Sequence, residues 1–322
     1  MLFSIVIPTF NSADTVLETL ESVVKTKESD LEILIVDDGS TDGTVELIKN
    51  KKIPNVTILN SPHMGPANIK NFAIKHITGE FVCFIDSDDL LDINYFKILR
   101  KVLISKPELM IFNYAVFNEH EINSRSLRKV SPTISEMGTM TWNKVYSASL
   151  IKKIAFPSDT TFEDVGFSAQ AYLLSDNTIY VDEVLYYYRQ RFGSITKNPD
   201  KPVYVHLDII KGFEEMFSFI RKHSLNLQEK EKRDISILVN NNLLMHIRKI
   251  LSLYNVDNRE VKSTIGDLLK YKKKMNIFLG KKYNFLFSNK RTENLKFQVM
   301  FFLIKIRAWR TVKLIISRNK KF

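Results

Sequence analysis

Short apolar runs alternate with amphipathic segments over the first 90 residues, and this alternation constrains the fold more than any other feature. Four β-branched apolar runs predict strands that are buried on both faces, at residues 4–7, 31–36, 56–59 and 81–85. Apolar residues at three- and four-residue steps predict helices after Asp14, around Val45 and over 66–77. Right-handed crossovers between the strands then predict an α/β fold with a doubly wound, mostly parallel sheet.

Acidic residues follow two of the predicted strands directly. Asp37 and Asp38 come after the second strand, and Asp86 and Asp88 come after the fourth. The carboxyl ends of parallel strands form the ligand-binding edge of such a sheet, so the four carboxylates are predicted to converge. Oxygen ligands of this kind favour Mg²⁺ or Mn²⁺.

The composition places the chain among globular proteins of a reducing compartment. Its 322 residues are 44% apolar and 11% aromatic, which suffices for a full core and two domains and excludes disordered and fibrous classes. The single cysteine, Cys83, excludes an intramolecular disulfide framework and a thiolate zinc site. The opening MLFSIVIPTFN has no basic segment and is typical of a buried strand, so we expect a cytoplasmic chain without a secretory signal.

Charge and periodicity divide the chain near residue 200. Residues 1–200 hold 20 Lys and Arg against 26 Asp and Glu, whereas residues 201–322 hold 27 against 10, for a net charge of +17. Periodicity predicts a helical second domain, 201–322, with helices near 204–223, 229–254, 258–275 and 293–317. The asymmetry favours chemistry in the first domain and docking to an anionic surface in the second.

Five motifs, in order, resemble those of the family 2 glycosyltransferases. They are IVIPTFN, IVDDGSTDGT, the segment from Gly65 to Asn71, GEFVCFIDSDD and FEDVGF, and the resemblance covers roughly residues 3–195. It implies a GT-A, Rossmann-like fold with nucleotide-sugar binding in 1–92 and acceptor binding in 93–200. It also implies an inverting transfer of a sugar from a nucleotide diphosphate donor.

On the donor side, the resemblance implies roles for residues at three strand ends. Pro8, Thr9 and Phe10 would border the nucleobase, and Asp38 would hydrogen-bond to the uracil ring. The alternative for the acidic segment 37–42 is a turn and helix cap.

Asp86-Ser87-Asp88 resembles the DxD motif of the family. Asp86 would then lie near the ribose, with Ser87 between the two acids, and Asp88 would bind the Mn²⁺ or Mg²⁺ that bridges the phosphates of the donor. Asp89 either assists this motif or caps the next helix.

Two further basic segments resemble donor-binding segments of the family. Lys70 stands where the family usually has Arg, which keeps the charge but not the planar fork, so Lys70 is either a donor contact or a structural residue. In the segment 186–196, Arg191 and Ser194 would close over the diphosphate, and Arg189 would be structural.

On the acceptor side, the segment FEDV resembles the acidic pair of the family. Asp164 would be the general base and Glu163 an orienting or acceptor-binding group, although the two roles could be exchanged. The alternative is that both are helix-terminal acids favoured by the macrodipole. Trp142 and Lys144 resemble an acceptor-proximal segment, with a core position as the alternative for Trp142.

The spacing of apolar and basic residues over 295–316 predicts one amphipathic basic helix. Its apolar stripe is Phe297, Phe301, Ile304, Ala308, Val312 and Ile315. The uncharged run is too short to span a bilayer, so the stripe either lies on a membrane surface or packs against protein, within the chain or in a homo-oligomer. No RNP, zinc-finger or helix-turn-helix pattern accompanies the basic charge, so nucleic acid is not a predicted partner.

These observations predict a hexosyltransferase that uses a UDP-sugar, with galactose or N-acetylglucosamine favoured. The predicted acceptor is a lipid-linked or polymeric bacterial surface glycan, and the predicted location is peripheral, on the cytoplasmic face of the inner membrane. A nucleotidyltransferase would need a Gly-rich basic loop where this chain has Pro8-Thr9-Phe10-Asn11. The remaining alternative is a non-catalytic, membrane-docked glycan-binding or scaffold subunit.

Overall fold

The computed structural model describes residues 2–119, 121–158, 160–190 and 201–318. The chain divides into two compact units. Unit 1 comprises the chain up to Pro132, Met137–Asp159 and the residues from Glu163 onward that complete the sheet. Unit 2 comprises the C-terminal helices together with two short segments, Thr133–Glu136 and Thr160–Phe162. The chain therefore passes from unit 2 back to unit 1 between Phe162 and Glu163.

Unit 1 contains one sheet of nine strands within the described residues. The strands are β1 (Phe3–Thr9), β2 (Leu31–Asp37), β3 (Val56–Asn60), β4 (Phe81–Phe84), β5 (Leu90–Leu91), β6 (Leu109–Asn118), β7 (Glu121–Arg128), β8 (Lys144–Ser147) and β9 (Thr178–Gln190). Their order is β3-β2-β1-β4-β8-β6-β9-β5, and β7 pairs with β6 off this path. The four predicted strands of the first 90 residues are confirmed as β1 to β4.

The sheet is parallel in its first half and mixed in its second. Strand β1 pairs in parallel with β2 and β4, and β2 pairs in parallel with β3. Strand β8 is antiparallel to both β4 and β6, while β6 and β9 are parallel. The prediction of a mostly parallel sheet therefore holds only for the nucleotide-sugar half, because the acceptor half inserts β8 in the opposite direction.

Helices cover the sheet of unit 1. They are α1 (Val16–Lys25), α2 (Thr44–Lys51), α3 (Pro66–Ile74), α4 (Tyr95–Val102), α5 (Ala148–Ile151) and α6 (Glu163–Leu174). One core joins the inward residues of β1 with α1 and α4, including Phe3, Leu20 and Phe96. A second aromatic group surrounds Phe84, where Phe156 and Phe167 stack with ring centroids 3.6 Å apart. This second group lies under the acidic site described below.

Unit 2 is helical, as predicted. Its helices are α7 (Asp208–Lys222), α8 (Glu229–Leu253), α9 (Arg259–Leu279), α10 (Arg291–Lys305) and α11 (Trp309–Arg318). The prediction of one helix over 295–316 is wrong, because the chain breaks at Arg307, whose φ is +61°. Residues of the predicted stripe pack inside the unit, with Phe301, Ile304 and Val312 buried. Among the described residues, no helix has the length and apolar character needed to cross a bilayer.

Candidate active site

The loops after β1, β2 and β4 are hydrogen-bonded to one another at the carboxyl edge of the sheet. The backbone N–H of Asn11 donates to Ser40 Oγ at 2.9 Å, and the N–H of Thr41 donates to Asn11 Oδ1 at 2.9 Å. On the other side, the hydroxyls of Ser12 and Ser87 lie 2.7 Å apart. The loop after β1 therefore holds both acidic loops, as parallel strands with adjacent carboxyl ends require.

Asp38 is buried and organises the loop that follows β3. Its Oδ1 accepts the backbone N–H of Met64 at 2.7 Å, and its Oδ2 accepts that of Gly65 at 2.9 Å. His63 Nδ1 lies 3.2 Å from Asp38 Oδ2, and the His63 ring lies 4.7 Å from that of the exposed Phe10. The neighbouring acids do match the turn-and-cap alternative, because Asp37 accepts the N–H of Ser40 and Asp42 that of Thr44.

Hydrogen bonds connect the acidic loop after β4 to β9. The Asp86 backbone N–H donates to the hydroxyl of Tyr186 at 3.1 Å, and that hydroxyl donates to Asp89 Oδ2 at 2.7 Å. Asp89 is buried and also accepts the backbone N–H of Arg189, so it neither caps a helix nor faces the site. Arg189 Nε donates to the Asp88 carbonyl at 2.6 Å, which agrees with the structural role predicted for Arg189.

Lys70 connects helix α3 with the acidic pair at the start of α6. Its Nζ donates to Glu163 Oε1 at 3.0 Å and to Asp164 Oδ1 at 2.8 Å, and it lies 5.0 Å from the centre of the Phe156 ring. The Lys70 and Glu163 side chains are 7% and 9% exposed, whereas Asp164 is 27% exposed. Only Asp164 of the pair is thus substantially open to an incoming molecule.

The electrostatics show that Asp86 belongs to the same cluster. Burial raises the pKa of Asp86 to about 7, the Lys70 ammonium opposes this rise, and the nearby Asp88, Asp164 and Glu163 carboxylates add to it. Burial raises the pKa of Glu163 as well. For Lys70 the attraction of Asp164, Glu163 and Asp86 outweighs burial and raises the pKa, so this ammonium stays charged. Carboxylates from two distant motifs therefore share one buried cation.

Two sequence-predicted acceptor contacts are wrong, because the structure buries both side chains. Lys144 is fully buried, and its Nζ donates to the carbonyls of Gly138 and Met140 at 2.9 and 2.7 Å and to Asn143 Oδ1 at 2.8 Å. Burial lowers the pKa of Lys144 to about 7.

Trp142 is 4% exposed and belongs to the core. Its ring stacks with that of Tyr186 at 4.4 Å and with that of Tyr188 at 5.4 Å, so no ring face is open to a sugar. The core alternative for Trp142 is correct.

The remaining predicted residues divide into three groups. Thr9 is buried and its hydroxyl donates to the Ile7 carbonyl, so its side chain does not border a nucleobase, whereas Pro8 is partly exposed. The Ser87 carbonyl accepts the hydroxyl of Thr15, and a donor contact by Ser87 stays a prediction. Arg191 and Ser194 lie outside the described residues.

No sequence signal singles out Tyr186, and on sequence grounds His63 is either a site residue or a solvated loop residue. Tyr186 stands in a run of three tyrosines that gives no sign of which hydroxyl turns toward the acidic loop. The position of His63 two residues before Gly65 was the one available signal.

Comparison with known proteins identifies the family. Residues 4–161 match the family model described as "Glycosyl transferase family 2". By this match, residues 4–161 form a glycosyl transferase family 2 domain.

Two of the relatives of this chain are bacterial proteins. Glycosyltransferase GlyA of Streptococcus pneumoniae serotype 4 is 27% identical over 217 residues, which are 60% of this chain and 31% of GlyA. Poly(ribitol-phosphate) beta-N-acetylglucosaminyltransferase TarS of Staphylococcus aureus is 28% identical over 202 residues, 58% of this chain and 35% of TarS. The alignments therefore span about a third of the length of these two relatives.

Solved structures agree on the fold. S. aureus TarS 1–349 in complex with UDP-GlcNAc has a TM-score of 0.55 and 21% identity, covering 86% of this chain and 92% of TarS 1–349. The mannosyltransferase PcManGT from Pyrobaculum calidifontis, in complex with GDP-Man and Mn²⁺, has a TM-score of 0.53 and 14% identity, covering 99% and 88% of the two chains. These likenesses confirm the predicted GT-A fold with a helical C-terminal region.

Proposed function

We propose that this family 2 glycosyltransferase moves a hexose or an N-acetylhexosamine from a UDP-sugar to a surface glycan, with inversion and with help from a divalent cation. The observation that carries the proposal is the double contact of Lys70 Nζ with Glu163 and Asp164. The Lys70 ammonium also interacts electrostatically with Asp86 of the DxD motif, so it links this motif with the acidic pair on the acceptor side. The binding of UDP-GlcNAc and of UDP by TarS supports a UDP donor, for which we favour galactose or N-acetylglucosamine.

The exposed pair of Phe10 and His63 is the surface that we assign to the nucleobase. Their rings lie 4.7 Å apart beside Asp38, and aromatic faces of this kind stack on planar bases. Asp38 fixes the loop that carries His63 by accepting hydrogen bonds from Ser61, Met64 and Gly65. We assign the uracil N–H to Asp38 as well, and this bond would take the place of the His63 contact at Oδ2.

Asp86 and Asp88 fit a divalent cation by their chemistry. Carboxylate oxygens suit Mn²⁺ and Mg²⁺, which commonly take one or two protein carboxylates and complete their coordination with substrate phosphates. Asp86 and Asp88 already repel each other, and that repulsion contributes to the raised pKa of Asp86, so a cation at Asp88 relieves an existing cost. Among the described residues, no group of three or more His, Cys, Asp or Glu side chains could hold a metal ion. Bound by Asp88, the ion would neutralise charge on the departing UDP.

Asp164 is the general base in this proposal because it is the more exposed of the two acids. Its carboxylate removes the proton of the acceptor hydroxyl as that oxygen attacks the anomeric carbon. Attack comes from the face opposite UDP, whose bond to the anomeric carbon breaks with the electron pair leaving on the phosphate oxygen. Glu163 is buried against Lys70 and orients the pair, so we assign it a positioning role in place of acceptor binding.

UDP release from a panel of UDP-sugars, with and without Mn²⁺, tests the proposal. We expect Asp164→Asn to lower turnover by about a hundredfold or more, which is the usual contribution of a positioned general base. Asp88→Asn should lower it mainly by weakening the response to Mn²⁺. The control is Asp182→Asn, since the Asp182 side chain is 61% exposed and lies on β9, and it should change turnover by less than about twofold.

Unchanged turnover in Asp164→Asn would contradict the assignment of the base. Absence of UDP release from every donor would favour the non-catalytic glycan-binding alternative.

We further propose a lipid-linked or polymeric acceptor and a peripheral location on the cytoplasmic face of the inner membrane. The name of TarS, which specifies poly(ribitol-phosphate), supports a polymeric surface glycan as acceptor. The net charge of +17 over residues 201–322 supports a location beside anionic lipid.

A further inference from the structure

A cationic cavity lies in unit 2 at the break between α10 and α11. It has a volume of about 600 Å³ and faces α9. Its charged and aromatic lining consists of Lys262, Lys305, Arg307, Arg310, Trp309 and Asp257. Arg310 pairs with Asp257 at 2.8 Å, which leaves Lys262, Lys305 and Arg307 in excess. A cavity with this surplus of two ammonium groups and one guanidinium is suited to a phosphate ester.

An apolar stripe on α10 ends at the same break. Its members are Leu295, Val299, Phe302 and Ile306, which are 61%, 54%, 57% and 55% exposed. Steps of four, three and four residues place them on one face of the helix, while Phe301 and Ile304 on the opposite face are buried. At 3.6 residues per turn, Lys296 and Lys305 lie about 90° to either side of the stripe.

The arrangement therefore joins an exposed apolar surface to a phosphate-sized cationic cavity through Lys305. A phospholipid bilayer offers both an apolar surface and phosphate groups, since its phosphates lie directly above its acyl chains. A soluble phosphodiester polymer offers the phosphates but nothing for the stripe to bury. A second copy of this chain would bring a second basic surface, so like charges would oppose its docking here.

We propose that the stripe on α10 and the adjoining cavity form a docking site for an anionic phospholipid bilayer. The four apolar side chains enter the boundary between headgroups and acyl chains, as in other interfacial helices. Lys305 and Arg307 receive a lipid phosphate, and the lysines beside the stripe extend their ammonium groups toward the headgroups. The docking site deepens the membrane location included in the proposed function and rests on it.

Sedimentation of the full chain with vesicles tests the site. The two vesicle types contain phosphatidylcholine alone or phosphatidylcholine with phosphatidylglycerol. We expect at least about tenfold tighter binding to the second type, because each basic residue near an anionic surface strengthens binding by roughly fivefold.

Two double variants separate the contributions. Lys305→Gln with Arg307→Gln should weaken binding to the anionic vesicles by about twentyfold or more. Val299→Ser with Phe302→Ser should weaken it by about tenfold or more, through lost apolar burial.

Matched controls come from exposed residues outside the site. Lys222→Gln with Lys230→Gln removes two exposed charges from α7 and α8, and Ile104→Ser removes a side chain of unit 1 that is 88% exposed. Both should bind anionic vesicles within about threefold of the unchanged protein. Circular dichroism checks that all variants are folded. The comparison of the two vesicle types uses the unchanged protein, so misfolding of a variant does not affect it.

The outcomes separate this site from the proposed function, because UDP release is measured on the same samples without vesicles. Weaker vesicle binding by the two site variants with normal UDP release supports the docking site. Equal binding to both vesicle types overturns the role of the cavity, and site variants that match the controls overturn the whole site. If the protein binds soluble poly(glycerol phosphate) as tightly as it binds vesicles, the surface is a polymer-binding site, and this outcome also overturns the membrane-docking proposal. Loss of UDP release in the unchanged protein concerns the proposed function alone.

Discussion

Lys144 has the charge expected of an acceptor-binding residue, but its role in the structure is to hold the surrounding backbone. Its ammonium donates to the carbonyls of Gly138 and Met140, and only Met140 has a second donor, the Ser168 hydroxyl at 3.4 Å, among the hydrogen bonds described. We expect Lys144→Met to lower the free energy of unfolding by about 1–3 kcal/mol, the usual cost of unsatisfied buried groups. The KM for the acceptor should stay unchanged. Urea unfolding and acceptor kinetics check this, with the exposed Lys152→Met as control. A raised KM at normal stability would restore Lys144 to the acceptor site.

Lys70 is expected to affect both stability and catalysis, because it is the cation of a buried acidic pair. Lys70→Met leaves Glu163 and Asp164 without their shared partner, and breaking a buried pair on one side costs about 3–5 kcal/mol. The Lys70 ammonium also opposes the rise that burial causes in the pKa of Glu163 and of Asp86, so without it these carboxyls should ionise at higher pH and the low-pH limb of the pH–rate profile should move to higher pH. Lys70→Arg keeps the charge and should restore the limb, even if the longer side chain lowers turnover.

A pH profile of UDP release on both Lys70 variants checks this expectation. A purely structural role would lower stability equally and leave the profile of the surviving enzyme unmoved.

The motifs predicted where the candidate site residues lie along the chain, but not how far each of them is buried. Asp38, Asp86 and Asp164 were assigned from sequence because strand ends and motif order fix their place along the chain. The outcome for Lys70 and Lys144 depended on which carbonyls and carboxylates surround each ammonium. Those partners come from elements distant in sequence, such as α6 for Lys70, so spacing within one motif cannot reveal them.

Among the helices of unit 2, a pair of histidines predicts sensitivity to acid. The Nδ1 atoms of His206 and His246 lie 2.9 Å apart, so one ring must donate and the other accept. Burial, aided by Lys249 and Lys201, lowers the pKa of His206 from 6.5 to about 4, and burial lowers that of His246 well below its usual value. Between pH 6.5 and 4 the unfolded chain therefore binds more protons than the folded chain, and stability falls as the pH falls.

Urea unfolding at pH 7.5 and pH 5 measures this effect. We expect His206→Gln to reduce the loss of stability between the two pH values by about 1–2 kcal/mol, a figure discounted for the partial exposure of the ring. The control His223→Gln changes an exposed histidine at the end of α7 and should leave the loss unaltered. Identical pH dependence in all three proteins would contradict the role of the pair.

Helices and strands were predictable where a hydrophobic period had a clear ending. The acids at residues 37 and 86 mark the ends of β2 and β4 to within two residues, whereas β1 continues one residue past Pro8, to Thr9. The break between α10 and α11 has no such signal, because Arg307 adopts a left-handed φ of +61° without a glycine or proline. The apolar period gives no signal either, because in one straight helix Ile304 and Val312 would lie on the same face, as in the predicted stripe.

On the scale of the whole molecule, net charge favours an anionic partner for residues 201–322 but does not locate the surface that would meet it. The surplus of 27 basic over 10 acidic residues in 201–322 is visible in the sequence. The sequence also placed the apolar contact on the stripe that includes Phe301 and Ile304. The structure buries Phe301 and Ile304 and exposes a different stripe, so the residues of the proposed docking site depend on which side of α10 the neighbouring helices cover.

Ionic strength should separate the two contributions to membrane binding. The attraction between the +17 of residues 201–322 and an anionic bilayer is screened over about 8 Å at physiological salt and over about 3 Å at 1 M, so binding should weaken steeply as salt rises. Burial of Val299 and Phe302 does not depend on charge, so a residual affinity should persist at high salt. The double variant Val299→Ser with Phe302→Ser should abolish this residual affinity. The double variant Lys305→Gln with Arg307→Gln should make binding depend less steeply on salt concentration and should keep the residual affinity. Sedimentation across a salt series measures both quantities, and a slope that is the same in all three proteins would contradict the division between cavity and stripe.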